Sequence, residues 1–124
     1  MTVNCQGEKI KVRLYCIDAP EMGQEPWGKQ SGYYLRSLLK SQVSIESKTE
    51  DRYGRQVASV WSGGQHINLA MVATGHAAVY RKYCDAPDFL RAQRKAVDSK
   101  LGIWRVSGEQ QEPWGWRAEN RKRR

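Results

Sequence analysis

The chain has 124 residues, enough for one folded domain with a single core. Its 40% hydrophobic and 27% charged residues are typical of globular proteins and argue against wholesale disorder. The sequence has no apolar run long enough to span a bilayer, and its first residues lack the pattern of a signal peptide. The formal net charge of +8 favours a polyanionic partner, nucleic acid first, although solubility alone also explains it.

Strands predominate in the first half of the chain. An alternating run over residues 9–17 pairs, through a turn at Gln6–Gly7, with a strand over residues 2–5. The alternation places Arg13 on the face opposite the aliphatic side chains. A loop follows, and then a helix over residues 29–41. Its predicted buried stripe is Tyr34, Leu35, Leu38 and Leu39.

Two more strands, over residues 43–47 and 55–61, lead into a helix over residues 67–75 that Gly75 closes in a left-handed conformation. A brief extended piece precedes a third helix, which begins at Asp85–Pro87 and ends at Gly102. The side chains predicted to lie inside on this helix are Phe89, Leu90, Val97 and Leu101.

This order of elements predicts an α+β domain over residues 1–106, built on a small barrel. Residues 107–124 have no packing period and predict a basic, flexible tail. The chain begins in mid-hairpin, so we expect the barrel's first strand to be missing and its edge to be open. We expect a monomer, or a dimer that exchanges strands at that edge.

The segment VRLYCIDAPE carries the residues that point most directly to chemistry. Asp18 and Glu21 place two hard oxygen donors on a turn held by Pro20, which suits calcium or magnesium, or one metal ligand and one general base. Arg13 and Arg55 could bind a phosphate drawn to that metal and offset charge on phosphorus. The same residues also fit a turn aspartate, a helix-facing glutamate and two solvated arginines, so spacing alone leaves both interpretations open.

The three cysteines, Cys5, Cys16 and Cys84, leave at least one thiol unpaired and allow one disulfide. They lack the spacing of zinc ligands, and only two histidines could assist them. A zinc site is therefore not expected, and the redox compartment stays open.

The motifs VRLYCIDAPE, WGKQ, DRYGRQ, INLAMVATGHAAVYRKY and LGIW, in this order, resemble the staphylococcal nuclease (thermonuclease-like) family from about Thr2 to Trp104. The tail QEPWGWRAENRKRR is similar to the Pro-Trp-x-Trp-Arg endings of many bacterial members. The resemblance implies an OB-fold-type five-stranded β-barrel with three helices. It also implies calcium-dependent hydrolysis of phosphodiester bonds in DNA and RNA.

Position by position, the resemblance implies catalytic roles for Arg13 and Arg55, which would bind the scissile phosphate, and for Glu21 as general base. Asp18 and the backbone carbonyl of Ala19 would bind calcium. The implied substrate-binding residues are Arg52, Tyr53, Tyr80 and Tyr83.

One departure from the family pattern bears on activity. A further calcium aspartate of the family would lie upstream of Met1, together with the first strand. Its absence favours a second hypothesis, a catalytically impaired module that binds nucleic acid or a protein, whereas the presence of Arg13, Glu21 and Arg55 favours the enzyme. The compartment is left open: we expect a secreted or periplasmic protein if an export signal lies upstream of Met1, and otherwise a cytoplasmic one.

Overall fold

The computed structural model describes residues 1–122, which form an α+β fold of seven strands and four α-helices. The strands are β1 (Thr2–Cys5), β2 (Glu8–Leu14), β3 (Ile17–Asp18), β4 (Ser44–Glu50), β5 (Gln56–Ser62), β6 (Gln65–His66) and β7 (Ala78–Val79). The helices are α1 (Trp27–Leu38), α2 (Ile67–Ala73), α3 (Pro87–Asp98) and α4 (Pro113–Lys122), with 3₁₀ turns at Gly102–Trp104 and Glu109–Gln111. Within residues 1–122, no helix is long and apolar enough to cross a membrane.

A mixed five-stranded sheet forms the body of the fold, in the order β1-β2-β5-β4, with β6 also pairing to β5. β1 and β2 form the hairpin predicted around Gln6–Gly7, and both turn residues have positive φ. β2 and β5 run parallel, with Arg13 opposite Val57. The α+β class and the five-stranded sheet are thus confirmed, whereas residues 1–122 contain four α-helices and not three.

A two-stranded ladder lies apart from the main sheet and joins distant parts of the chain. β3 pairs antiparallel with β7, with Asp18 opposite Ala78. A disulfide between Cys16 and Cys84 links the same two regions, and Cys5 is left free and exposed. The Gln93 side chain of α3 accepts a 2.7 Å hydrogen bond from the Val79 N–H and so fixes β7 from its other side. These contacts hold the turn after β3 against the segment after β7.

The core lies between the sheet and the helices that cover it. β5 and α2 supply much of it, because five of the seven residues of each element are buried. The four predicted α1 residues all pack against this core, although α1 spans Trp27–Leu38 and not residues 29–41. The left-handed Gly75 that closes α2 is confirmed, with φ of 79°.

Two predicted core positions in the third helix are wrong. Val97 and Leu101 are each 41% exposed, and the helix ends at Asp98, before Gly102. Its buried residues are Phe89 and Ala96, seven positions apart on one face, and Val97 is rotated away from that face.

The end of the chain also differs from the prediction of a flexible tail. Residues 109–111 form a 3₁₀ turn and α4 follows, with Pro113 fully buried at its first position. The buried Gln110 side chain donates hydrogen bonds to the carbonyls of Ile103 (3.1 Å) and Val106 (2.6 Å). The tail is ordered through these contacts with the domain, which a local periodicity does not reveal. Arg123 and Arg124, which belong to the predicted tail, lie outside the described residues.

Asn68, at the start of α2, is fully buried and bridges three parts of the chain. Its Oδ1 accepts a 2.8 Å hydrogen bond from the Val60 N–H, and its Nδ2 donates to the carbonyls of Ala58 and Tyr15. A buried amide that satisfies backbone groups is stabilising chiefly because leaving those groups unpaired is costly.

We expect Asn68→Ala to lower the free energy of unfolding by roughly 2–4 kcal/mol, since it orphans a buried N–H and opens a cavity. Urea denaturation measures the change. Asn4→Ala is the matched control, because Asn4 makes its 2.9 Å hydrogen bond to Gly7 in an exposed turn. Equal losses in the two variants would contradict the bridging role.

Candidate active site

Asp18 and Glu21 lie at the two ends of a short turn that follows β3. Asp18 is held in the β3–β7 ladder and is 7% exposed, whereas the Glu21 side chain is half-exposed. The half-buried Ala19 lies between them, one residue after Asp18. The Glu21 carbonyl accepts a 2.9 Å hydrogen bond from the Gln24 N–H, which closes the turn toward α1.

The start of α1 packs directly against this turn, and the contact requires a glycine. A Cβ on Gly28 would lie 1.7 Å from the Glu21 carbonyl oxygen, far inside contact distance. The Gly28 N–H also donates a 2.8 Å hydrogen bond to the Gln24 carbonyl. The position of Glu21 is therefore set by how closely the helix backbone approaches it.

An arginine from the C-terminal helix joins the two acids. Arg117 Nη1 donates a 2.9 Å hydrogen bond to Glu21 Oε1, and its Nη2 contacts Asp18 Oδ2. Arg117 is only partly exposed at this site. Sequence reasoning did not predict Arg117, and its only signal was the Pro-Trp-x-Trp-Arg pattern, to which no role was attached.

Burial and neighbouring charges both shift the pKa values of the groups at this turn. Burial raises the pKa of the Asp18 carboxyl, and hydrogen bonding and charge from Arg117, with charge from Arg13, offset only part of that rise. Burial acts to lower the pKa of Arg117, but its bonds to Asp18 and Glu21 outweigh this and raise it. Two carboxylates and two guanidiniums thus share one site.

Aromatic rings lie beside Arg13. The Arg13 guanidinium lies 5.8 Å from the centre of the Tyr80 ring, and Tyr80 meets Tyr83 edge to face at 4.9 Å. Tyr83 is 61% exposed. Trp114 of α4 stacks on Tyr80, with ring centres 4.7 Å apart and planes within 14°. The structure therefore brings together Arg13, Asp18, Glu21, Tyr80 and Tyr83, and adds Trp114 and Arg117 from the tail.

The remaining predicted residues form a separate group in the turn before β5. Arg55 Nε donates a 2.7 Å hydrogen bond to Asp51 Oδ2, and the Arg55 and Tyr53 N–H groups both bind Asp51 Oδ1. Arg52 and Arg55 lie within 6 Å of the centre of the exposed Tyr53 ring. Arg55 directly precedes β5, the strand that pairs with β2 and its Arg13, but its described partners are Asp51 and Tyr53, not the two acids.

The donors at the turn suit a hard cation. The carboxylates of Asp18 and Glu21 and the carbonyl of Ala19 offer oxygen only, which calcium and magnesium prefer. Across residues 1–122, no cluster of three or more His, Cys, Asp and Glu side chains is present. A cation here would need further oxygens from water or a phosphate. It would also have to compete with Arg117 for the carboxylates.

Comparison with known proteins shows the family of this chain. Residues 11–106 match the family described as Staphylococcal nuclease homologue. The chain belongs to the staphylococcal nuclease family. The site residues described above lie within the matched region, except Trp114 and Arg117, which follow it.

The chain is also similar to individual members. It is 39% identical over 124 residues to an uncharacterized endonuclease of Haemophilus influenzae, covering 97% of this chain and 68% of that protein. It is 34% identical to a protein of Oryza sativa subsp. japonica named "Probable staphylococcal-like nuclease", covering 94% of this chain. The Escherichia coli protein ParB is 33% identical, covering 94% of this chain and 72% of ParB. The chain spans about a third of the rice protein, at 31% of its length.

We expect Gly28→Ala to lower the free energy of unfolding by about 1–3 kcal/mol, because the methyl group must push α1 away from Glu21. Chemical denaturation measures the change. Gly32→Ala in the same helix is the control, since its Cβ would meet its neighbours at an ordinary 3.6 Å. That variant should be neutral or stabilised by up to about 1 kcal/mol. A Gly28→Ala protein as stable as Gly32→Ala would show that the turn tolerates displacement.

Proposed function

We propose that this chain is a calcium-dependent nuclease that hydrolyses phosphodiester bonds of DNA, RNA or both. The observation that carries the proposal is that Asp18 and Glu21 share one turn and that Arg13 of β2 lies near enough for its charge to act on Asp18, inside a staphylococcal nuclease domain. Acids that bind a cation or activate water, next to a guanidinium, suit attack on a phosphodiester.

Each residue of the site has its own proposed role in the reaction. Asp18 and the Ala19 carbonyl would hold calcium, which when bound supplies positive charge beside the phosphate. The half-exposed Glu21 carboxylate accepts a proton from the attacking water. Arg13, and Arg55 once it leaves Asp51, bind the phosphate oxygens and offset the negative charge that builds on them in the transition state.

Aromatic and basic groups supply the substrate contacts. Tyr80 and Tyr83 present rings on which bases can stack, and Arg52 with Tyr53 adds a basic and aromatic pair in the turn before β5. The net charge of +8 draws a polyanion toward the domain. The Cys16–Cys84 disulfide supports an oxidising compartment, such as the periplasm or the exterior.

A second function, binding without cleavage, is favoured by one observation. Both acids are engaged by Arg117, and Arg55 is engaged by Asp51, so three of the four charged groups that the chemistry needs already have partners. A domain fixed in this state would hold nucleic acid on its basic and aromatic surface and would not cut it.

We expect the protein to cleave a labelled single-stranded oligonucleotide when calcium is added and to stop when a chelator removes it. Gel electrophoresis of the products measures cleavage, and calcium restored in excess is the control. Cleavage that persists in the chelator would contradict the role of the metal. Tight oligonucleotide binding with no cleavage at any calcium concentration would favour the binding module.

We expect Arg13→Ala and Arg55→Ala to lower kcat by about 100-fold, because a donor aimed at transition-state charge is worth roughly 3 kcal/mol. Steady-state kinetics on the oligonucleotide measure kcat and KM, and KM should change less than kcat. Arg94→Ala, on the exposed side of α3, is the control for loss of one positive charge. If either variant retains full kcat, the arginine that it lacks has no catalytic role.

A further inference from the structure

We propose that α4 is a cap on the nuclease site, which competes with calcium for the two acids and with a nucleobase for Tyr80. The inference rests on the proposed function, since it assigns regulation to that same site. It is carried by two side chains of one helix, Trp114 and Arg117, which reach two different parts of the site.

The first competition is for carboxylate oxygens. Arg117 occupies one oxygen of Asp18 and one of Glu21 with separate guanidinium nitrogens, so a single cation already bridges the pair. A calcium ion at the turn would use these same acids, and its charge would repel the guanidinium held there. Metal binding therefore has to loosen or displace Arg117.

The second competition is for an aromatic face. Trp114 lies flat on Tyr80, in the geometry that a stacked base would adopt. Trp114 and Arg117 are three residues apart, and residues at this spacing lie on the same side of a helix. The helix therefore presents a ring and a positive charge together. The ring takes the place of a stacked base, and the charge takes the place of the metal ion.

The attachment of α4 allows it to open without unfolding the domain. Its main backbone neighbour is the 3₁₀ turn at Glu109–Gln111, which Gln110 anchors to the carbonyls of Ile103 and Val106. Within Pro113–Lys122 only Pro113, at the first position beside that anchor, is buried, and segments with few buried contacts open at low free-energy cost.

Competition by one helix couples the two ligands. Calcium that displaces Arg117 also frees Tyr80, and a base that displaces Trp114 also frees the acids. Each ligand should thus tighten the binding of the other by the same factor. Neither Trp114 nor Arg117 needs to take part in the chemistry for this to hold.

Titration calorimetry with calcium chloride tests the cap in the full chain without relying on activity. We expect Arg117→Gln to bind calcium about tenfold more tightly, within the 5–150-fold range of typical couplings between sites. Arg121→Gln, which removes the same charge from the exposed end of the same helix, should bind within twofold of the unaltered protein. Unchanged affinity in Arg117→Gln would overturn the proposal.

Trp114→Ala separates the cap from simple charge removal. This variant changes no charge and leaves both acids untouched, so tighter calcium binding in it can come only from release of the helix. It also gives a test if Arg117→Gln does not fold, which circular dichroism and thermal melting would reveal. Calcium affinity unchanged in a folded Trp114→Ala protein would overturn the proposal.

Cleavage assays on the same proteins separate failure of the cap from failure of the nuclease. If calcium binds more tightly to both variants but nothing is cut, the cap stands and the nuclease proposal fails. If the unaltered protein cuts and the variants show the same calcium dependence, the nuclease stands and the cap fails. A folded Arg117→Gln protein that cuts more slowly at saturating calcium would make Arg117 a phosphate contact and would overturn the cap.

Discussion

The side-chain amide of Asn68 is the contact on which the placement of the site depends. It joins the first turn of α2 to β5 and to the residue that follows β2. Because it fixes the backbone of Tyr15, it also fixes where the chain leaves the main sheet to enter β3. A satisfied buried amide has few alternative geometries, so it specifies this one arrangement as well as stabilising it. The position of the turn that carries Asp18 and Glu21 depends on where the chain leaves the sheet.

From that exit point, three weak constraints position two carboxylates on a turn of four residues. The β3–β7 ladder sets Asp18, the glycine contact of α1 sets Glu21, and Gln93 secures β7 against α3. None of these contacts is strong alone, but each one fixes a different part of the turn or of the strand beside it. Functional groups need such support, because a displacement of about 1 Å can remove most of their effect.

Much of this fold could be predicted from local pattern, and the site only in part. The alternation around Arg13 and the turn at Gln6–Gly7 are local signals, and the hairpin formed as they indicate. Val97 was misplaced because apolar residues one position apart on a helix compete for the core face, and packing decides between them. The tail helix and Arg117 could not be predicted from spacing, since Arg117 lies 96 and 99 residues from its partners. Contacts at such separations are set by the whole fold and leave no periodic trace.

The Cys16–Cys84 disulfide keeps two parts of the site linked even in the unfolded chain. It closes a ring over a sequence separation of 68, within which lie Asp18, Glu21, Tyr80 and Tyr83. Such a ring removes about 4 kcal/mol of conformational freedom from the unfolded ensemble in the chain-entropy description. The two halves of the acidic and aromatic surface thus stay tethered at high effective concentration while the rest of the chain is disordered. In the oxidised chain the long loop is already closed, so the surface can re-form by local conformational changes. The reduced chain must first bring the two ends of that loop together.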